Sequence, residues 1–175
     1  MKMAKKLLAV VLAGVLAVSL LTGCGGAVST MIIAGEAVSA ETIADAMSNM
    51  SKGEGVVYEE KPELNEKARQ IAAMISSAAM QEGKTDIYEK IMTIMGHDYD
   101  NKYVWIAETT TEGCNVTAQA SNLLEDVDKD SNINSKVADG KSPAAVRSIG
   151  TAPITENGVD YLFAVITADA VQDKV

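Results

Sequence analysis

Apolar side chains recur every three or four residues in four stretches of the chain, which is the spacing of one face of an α-helix. They are Ile43, Met47 and Met50; Leu64, Ala68, Ile71, Ile75 and Ala78; Ile87, Ile91, Ile94 and Met95; and Val116, Ala120, Leu123, Leu124 and Val127. Ser39 is a typical N-cap, Pro62 suits a first helical turn, and Gly83 and Gly96 follow last turns. The pattern therefore predicts four helices.

Other stretches are short and rich in β-branched and aromatic residues, which favours strands. They are residues 103–107, 146–154 and 159–168. Residues 56–58 form either a short strand or an extended lead-in to the next helix. Asn157-Gly158 is the sequence signal of a type I′ hairpin. Pro153 has no N–H to donate, which predicts an edge or a bulge at that end of the first hairpin strand.

The order and polarity of these elements indicate the fold class. The runs 103–107 and 159–168 are apolar on both faces, so we expect both faces of the sheet to be covered, with Trp105 and Phe163 buried in it. Helices come first and an antiparallel hairpin comes last. We predict an α+β domain in which a small antiparallel sheet lies between helical layers, an α-β-α sandwich with a C-terminal β-hairpin.

The amino terminus has a different pattern. Lys2, Lys5 and Lys6 precede an uncharged apolar run, residues 7–21, that is shorter than the roughly 20 residues of a membrane span. The following Leu21-Thr22-Gly23-Cys24 resembles the lipobox of bacterial lipoproteins. That resemblance implies diacylglyceryl transfer to the Cys24 thiol, cleavage before Cys24 and acylation of the new amino terminus. The alternative is an ordinary secretory signal in which Cys24 is incidental.

The lipobox sets the expected domain boundaries. Residues 1–23 are predicted as the signal peptide, residues 24–38 as a lipidated tether rich in Gly, Ala and Ser, and residues 39–175 as a single α+β domain. Two or three acyl chains hold a protein on a bilayer far more firmly than one chain does. We expect the protein on the extracytoplasmic face of a bacterial cell membrane, with the membrane as its partner through lipid on Cys24.

Charge and cysteine content narrow the remaining classes of function. The net charge of −9 becomes −12 when residues 1–23, with their three lysines and no acid, are removed. Such a surface repels anionic headgroups and nucleic acid, so the attachment must come from lipid and no nucleic-acid partner is expected. Cys24 and Cys114 are the chain's two cysteines, and a lipidated Cys24 cannot form a disulfide.

One acidic segment resembles the start of an EF-hand calcium loop. The alternating oxygen-bearing positions are Asp126, Asp128, Asp130, Asn132 and Asn134. Calcium prefers such oxygen ligands. Two departures weaken the likeness, because Ser131 replaces the glycine of the sharp turn and Val137 replaces the bidentate glutamate. The segment is therefore either a weak calcium site or a solvated acidic loop.

His97, the chain's single histidine, is the natural candidate for acid–base chemistry. A nucleophilic pair of His97 with Cys114 is formally possible. The alternative is that His97 caps a helix end and that Cys114 is a small, partly buried hydrophobic residue. Nothing around either residue resembles a protease signature.

Three stretches resemble the CAP superfamily, which contains cysteine-rich secretory and pathogenesis-related proteins. They are residues 58–64 with Ala68-Arg69 and Ala72, residues 103–107 with the helix 116–127, and Ile149-Gly150 with residues 157–163. The resemblance implies an α-β-α sandwich. The family's metal site uses two histidines and two acids, whereas this chain has His97 alone and Trp105 in place of one glutamate. The resemblance thus implies a binding scaffold without zinc chemistry.

These observations predict a lipid-anchored extracytoplasmic module that has a binding or structural role and no catalytic activity. Its ligand would be an unknown protein or small molecule. One alternative is an extracellular hydrolase that uses His97 with Cys114 or with acidic residues. The other is an adhesion module stabilised by calcium bound at residues 126–134.

Overall fold

The computed structural model describes residues 40–79, 87–129 and 132–173. The elements in chain order are α1 (Ala40–Met50), β1 (Val57–Glu60), α2 (Pro62–Ala79), α3 (Ile87–Met95), β2 (Lys102–Thr110), α4 (Val116–Lys129), β3 (Lys141–Glu156) and β4 (Val159–Gln172). Short 3₁₀ turns, Ser51–Glu54 and His97–Tyr99, follow α1 and α3. The predicted helix N-cap at Ser39, the helix stop at Gly83 and the whole amino-terminal signal with Cys24 lie outside the described residues. Within the described part of the chain, no helix has the length and apolarity needed to cross a membrane.

The four strands form one mixed sheet in the order β1-β3-β4-β2. β3 and β4 form the antiparallel hairpin, and β2 lies antiparallel to β4. β1 joins the sheet parallel to β3, with Val57 opposite Val146. Parallel pairing requires a long crossover, and the chain between β1 and β3 supplies one because it includes α2, α3, β2 and α4. β1, β2 and β3 therefore all begin at the same end of the sheet.

Helices cover both faces of this sheet. Helices α1 and α4 bury Ile43, Met47 and Leu123 against a face that includes Trp105, Ile149, Leu162 and Ile166. Helices α2 and α3 bury Leu64, Ile71, Ile91 and Met95 against the opposite face, which includes Val104, Phe163 and Val165. Successive strand residues point to opposite faces, so a strand that is apolar throughout needs cover on both. The predicted α+β sandwich with its C-terminal hairpin is confirmed, whereas the predicted wholly antiparallel sheet is a mixed one because β1 pairs with β3 in parallel.

The hairpin has the turn that its sequence predicts. Glu156 pairs with Val159, which leaves a two-residue loop. Asn157 has φ 53° and Gly158 has φ 80°, the left-handed conformation that a type I′ turn needs at both positions. Pro153 is also where predicted, since β1 pairs with β3 only as far as Ile149 and no strand of the described residues pairs with the outer side of β3 beyond that point.

The start of α2 is fixed against β3 where β1 ends. A Cβ atom at Gly150 would lie 2.2 Å from the carbonyl carbon of Leu64, so the helix backbone occupies the space that a side chain would need. The Thr151 N–H donates to Asn65 Oδ1 at 2.8 Å, and the Lys61 N–H donates to the Ile149 carbonyl at 3.0 Å. β1 stops pairing with β3 at Ile149, and these two hydrogen bonds satisfy the β3 backbone groups at and just after that point.

Polar side chains also cap the two outer edges of the sheet. On β1, Ser48 Oγ accepts from the Tyr58 N–H at 2.8 Å and donates to the Tyr58 carbonyl at 3.2 Å. On β2, Asn132 Oδ1 accepts from the Val104 N–H at 2.9 Å, and the Ile133 N–H donates to the Val104 carbonyl at 2.9 Å. Unpaired edge groups are the usual route to strand-on-strand association, and these caps occupy those of Tyr58 on β1 and Val104 on β2.

Candidate functional site

Four side chains form an arginine–aromatic cluster on the face of the sheet that α1 and α4 cover. They are Tyr58, Tyr103, Trp105 and Arg147. The strand register brings them together, because Tyr58 pairs with Arg147, Arg147 with Ala168, and Ala168 with Tyr103. The small side chain of Ala168 leaves room between its neighbours, and the long side chain of Arg147 lies close to the ring of Trp105.

Two of the three rings of the cluster lie against the guanidinium, and the third stacks on one of them. Arg147 Cζ lies 5.2 Å from the Trp105 ring centroid and 5.6 Å from that of Tyr58. Tyr103 stacks on Trp105 with centroids 5.5 Å apart and ring planes inclined by 17°. The Tyr103 hydroxyl donates to the Lys141 carbonyl at 2.5 Å, which fixes this ring to the beginning of β3. A cation over an aromatic face contributes about 0.5–2 kcal/mol, depending on its desolvation, so the arrangement holds the guanidinium in place.

The Tyr58 hydroxyl is one hydrogen-bond partner of Arg147, with Nη1 donating to it at 3.0 Å. Tyr58 is only 4% exposed. Burial raises the pKa of its phenol, an effect that the nearby Arg147 charge opposes and Asp128 of α4 reinforces. The phenol is therefore neutral at neutral pH, and Arg147 gains a hydrogen bond there without neutralisation of its charge.

The remaining donors of Arg147 are the unusual feature of the cluster. Its Nε atom is buried and has no hydrogen-bond partner among the described residues. Within the same part of the chain, no carboxylate lies within 4.0 Å of the guanidinium. A buried donor without a partner costs about 1–3 kcal/mol. Arg147 is not among the site residues predicted from the sequence, in which its one distinguishing feature is a charge inside a strand, between Val146 and Ile149.

The structure places the predicted calcium ligands in two different environments. Asp126 and Asp128 belong to the end of α4, whereas Asn132 and Asn134 follow the helix, and Asp130 lies outside the described residues. Side chains two residues apart on a helix point about 200° apart, so Asp126 and Asp128 diverge. Asp126 Oδ2 accepts from the Glu108 N–H at 3.3 Å. For both to contact one ion, the last turn of α4 would have to unwind.

The two asparagines hold the chain after α4 against the beginning of β2. Asn134 is buried, and its Nδ2 donates to the carbonyl oxygens of Tyr99, Asp100 and Lys102 at 2.8–3.1 Å. Its Oδ1 accepts from the Lys136 N–H at 3.0 Å. Over the residues that the structure describes, no group of three or more His, Cys, Asp or Glu side chains is placed to hold a metal ion. Calcium binding by this segment stays a prediction.

His97 and Cys114 lie at opposite ends of β2. His97 is in the 3₁₀ turn before the strand, its side chain is 99% exposed, and its Nδ1 lies 3.3 Å from Asp100 Oδ2. Cys114 is half-buried in the loop after the strand. The strand has nine residues, so at about 3.3 Å per residue its ends lie roughly 25 Å apart, with His97 before one end and Cys114 after the other. The structure therefore does not bring the thiol and the imidazole together.

Glu108, near the end of β2, is a titratable group that sequence reasoning missed. Burial raises its pKa from 4.5 to about 7, and the carboxylates of Asp126 and Glu156 add to this shift. Burial also raises the pKa of the neighbouring Tyr161, with Glu108 as the next contributor. In the sequence, Glu108 stands in the polar second half of a strand, where a solvated glutamate would be equally expected.

This pKa predicts a pH-dependent stability. Between about 4.5 and 7 the unfolded chain ionises Glu108 while the folded chain keeps the proton, so stability falls as pH rises through that window. We expect Glu108→Gln to match the parent near pH 4 and to exceed it by on the order of 2 kcal/mol at pH 8. Urea unfolding across this range measures the difference, with Glu89→Gln on the exposed side of α3 as the control. Parallel stability curves for the parent and Glu108→Gln would contradict the prediction.

Comparisons of the chain with protein-family models, with curated proteins and with solved structures give no match. A function for this protein is therefore inferred from its residues and their geometry.

Proposed function

We propose that the protein is a lipid-anchored extracytoplasmic binding module that acts without catalysis. The observation that carries this proposal is the convergence of side chains from three strands around a guanidinium that has a buried, unpartnered Nε. A few polar groups among apolar and aromatic side chains are typical of a ligand-recognition site. The separation of His97 from Cys114 along β2 counts against the alternative of a thiol hydrolase.

The amino-terminal sequence supports the anchor. Leu21-Thr22-Gly23-Cys24 provides the lipidation signal, and the acidic mature chain has no other evident attraction to an anionic bilayer. A tether of residues 24–38 spans at most about 50 Å when fully extended. The domain would therefore stay within that distance of the extracytoplasmic face of a bacterial membrane, where it would meet a small-molecule or protein ligand and no nucleic acid.

The fold is consistent with a CAP-like binding scaffold. The three stretches that resemble the CAP superfamily fall on β1 with α2, on β2 with α4, and on the β3–β4 hairpin. The helices surround the sheet on both faces, as the resemblance implies. In this proposal Trp105, which replaces a glutamate of the family's metal site, is part of the arginine–aromatic cluster, so ligand recognition takes the place of metal chemistry.

The anchor is tested by Cys24→Ala. We expect this variant to lose metabolic palmitate labelling and to be released from membranes or to remain uncleaved, because the acyl chains have no thiol to attach to. Cys114→Ala, which alters the other cysteine, should keep both the label and the membrane location. Unchanged labelling of Cys24→Ala would overturn the anchor.

A further inference from the structure

We infer that Arg147 is the recognition residue for a carboxylate group on a small anionic ligand. The inference deepens the binding role proposed above and rests on it, because it names the site and the chemical class of the ligand. Its basis is the arginine–aromatic cluster, in which the positive charge is fixed by rings and a phenol and is not neutralised by an acid among the described residues.

The hydrogen-bond pattern of Arg147 leaves one edge of its guanidinium for a ligand. Nη1 donates to the Tyr58 hydroxyl. The Nε–H and one N–H of Nη2 point along the other edge, which is the pair of donors that a carboxylate accepts with its two oxygens. Nε is the donor without a partner. A ligand oxygen would satisfy it, and because Nε is out of contact with solvent, binding includes a local shift of the side chains that cover it.

The surroundings favour a carboxylate over other ligand classes. A cationic ligand is disfavoured because the guanidinium of Arg147, which lies against the rings of Trp105 and Tyr58, would repel it. A phosphate dianion is typically held by several donors and charges, whereas the cluster offers a single guanidinium fork. A carboxylate is planar and singly charged, so its two oxygens match the paired donors of one guanidinium. The acidic surface of the domain repels such an anion and lowers the affinity of the site for it. We therefore expect weak, saturable binding of simple carboxylates.

Trp105 gives a direct readout of this site. It is the chain's only tryptophan and lies against both Tyr103 and Arg147. The full-length protein, purified in a non-ionic detergent, is titrated with sodium acetate at constant ionic strength and neutral pH while Trp105 fluorescence is recorded. We expect a saturable change, with inorganic phosphate requiring a several-fold higher concentration for the same effect.

Arg147→Lys tests the fork, since it keeps the charge and removes the paired donors. We expect the acetate midpoint to rise at least ten-fold or the response to vanish. Arg69→Lys is the matched control, because Arg69 is the chain's other arginine and is exposed on α2 beside Glu66. It should leave the midpoint unchanged. Circular dichroism of each variant establishes that it is folded.

A second measurement needs no change at the site. The two arginines give two Nε–H signals in a ¹H–¹⁵N spectrum, and Arg69→Lys identifies which signal belongs to Arg147. Acetate should shift the Arg147 signal saturably and leave the Arg69 signal in place.

The inference is overturned if neither signal moves, if Arg147→Lys keeps the parent midpoint, or if phosphate saturates before acetate. Those results leave the Cys24 labelling experiment unaffected, so failure of this site and failure of the proposed anchor are distinguishable.

Discussion

Phe163→Ala and Trp105→Ala are each expected to lower the free energy of unfolding by about 3–5 kcal/mol, because each removes a large buried side chain and leaves a cavity. Phe163 is 4% exposed and packs under α2 and α3, whereas Trp105 is 6% exposed and packs under α1 and α4. Urea unfolding measures both losses. Val171→Ala, at an exposed position on β4, should change stability by less than about 0.5 kcal/mol.

The two truncations also test the layers separately. Since the side chains lie on opposite faces of the sheet, the double variant should lose nearly the sum of the two single losses. Near-parent stability of both single variants would contradict the sandwich. A large loss in one alone would locate the stabilising core on a single face.

Gly150→Ala is expected to cost about 3 kcal/mol or more, at the upper end of the range for inserted core atoms. The added Cβ would overlap the backbone of Leu64 at the start of α2, and a backbone atom cannot rotate away as a side chain can. The helix would have to move off β3 and weaken the Asn65 bond to the Thr151 N–H. Thermal unfolding measures the loss.

Gly53→Ala is the matched control for this substitution. A Cβ at Gly53 meets no atom within 4 Å, and its φ is not in the left-handed region. We expect its stability to stay close to that of the parent. Equal effects of the two glycine substitutions would show that the close approach of α2 to β3 does not limit the fold.

Much of this fold could be predicted because its patterns are local. Apolar spacing locates the helices, and the two apolar faces of the strand containing Phe163 require a covered sheet. Asn157-Gly158 determines its own turn. The parallel partner of β1 could not be predicted, because its four residues carry no distinctive period and their pairing depends on a segment about 90 residues later.

The candidate site was beyond prediction for a related reason. Tyr58, Tyr103 and Arg147 come from three strands and meet only through their register in the sheet. The acidic segment was ambiguous for a chemical reason, because an asparagine oxygen can either coordinate a cation or accept a backbone N–H. In the structure, the side chains of Asn132 and Asn134 bond to the backbone.

Ser48 and Asn132, which cap the two outer strands, affect how copies of the domain interact at high local concentration. An acyl anchor would confine many copies to a plane, where collisions are frequent and a bare strand would template chain-to-chain polymerisation. When a neighbouring copy approaches β1 or β2, the N–H groups of Tyr58 and Val104 are already bonded to side chains of the molecule to which they belong. Addition of a strand at these positions would first have to break those bonds, so the caps oppose growth of the sheet from one copy to the next.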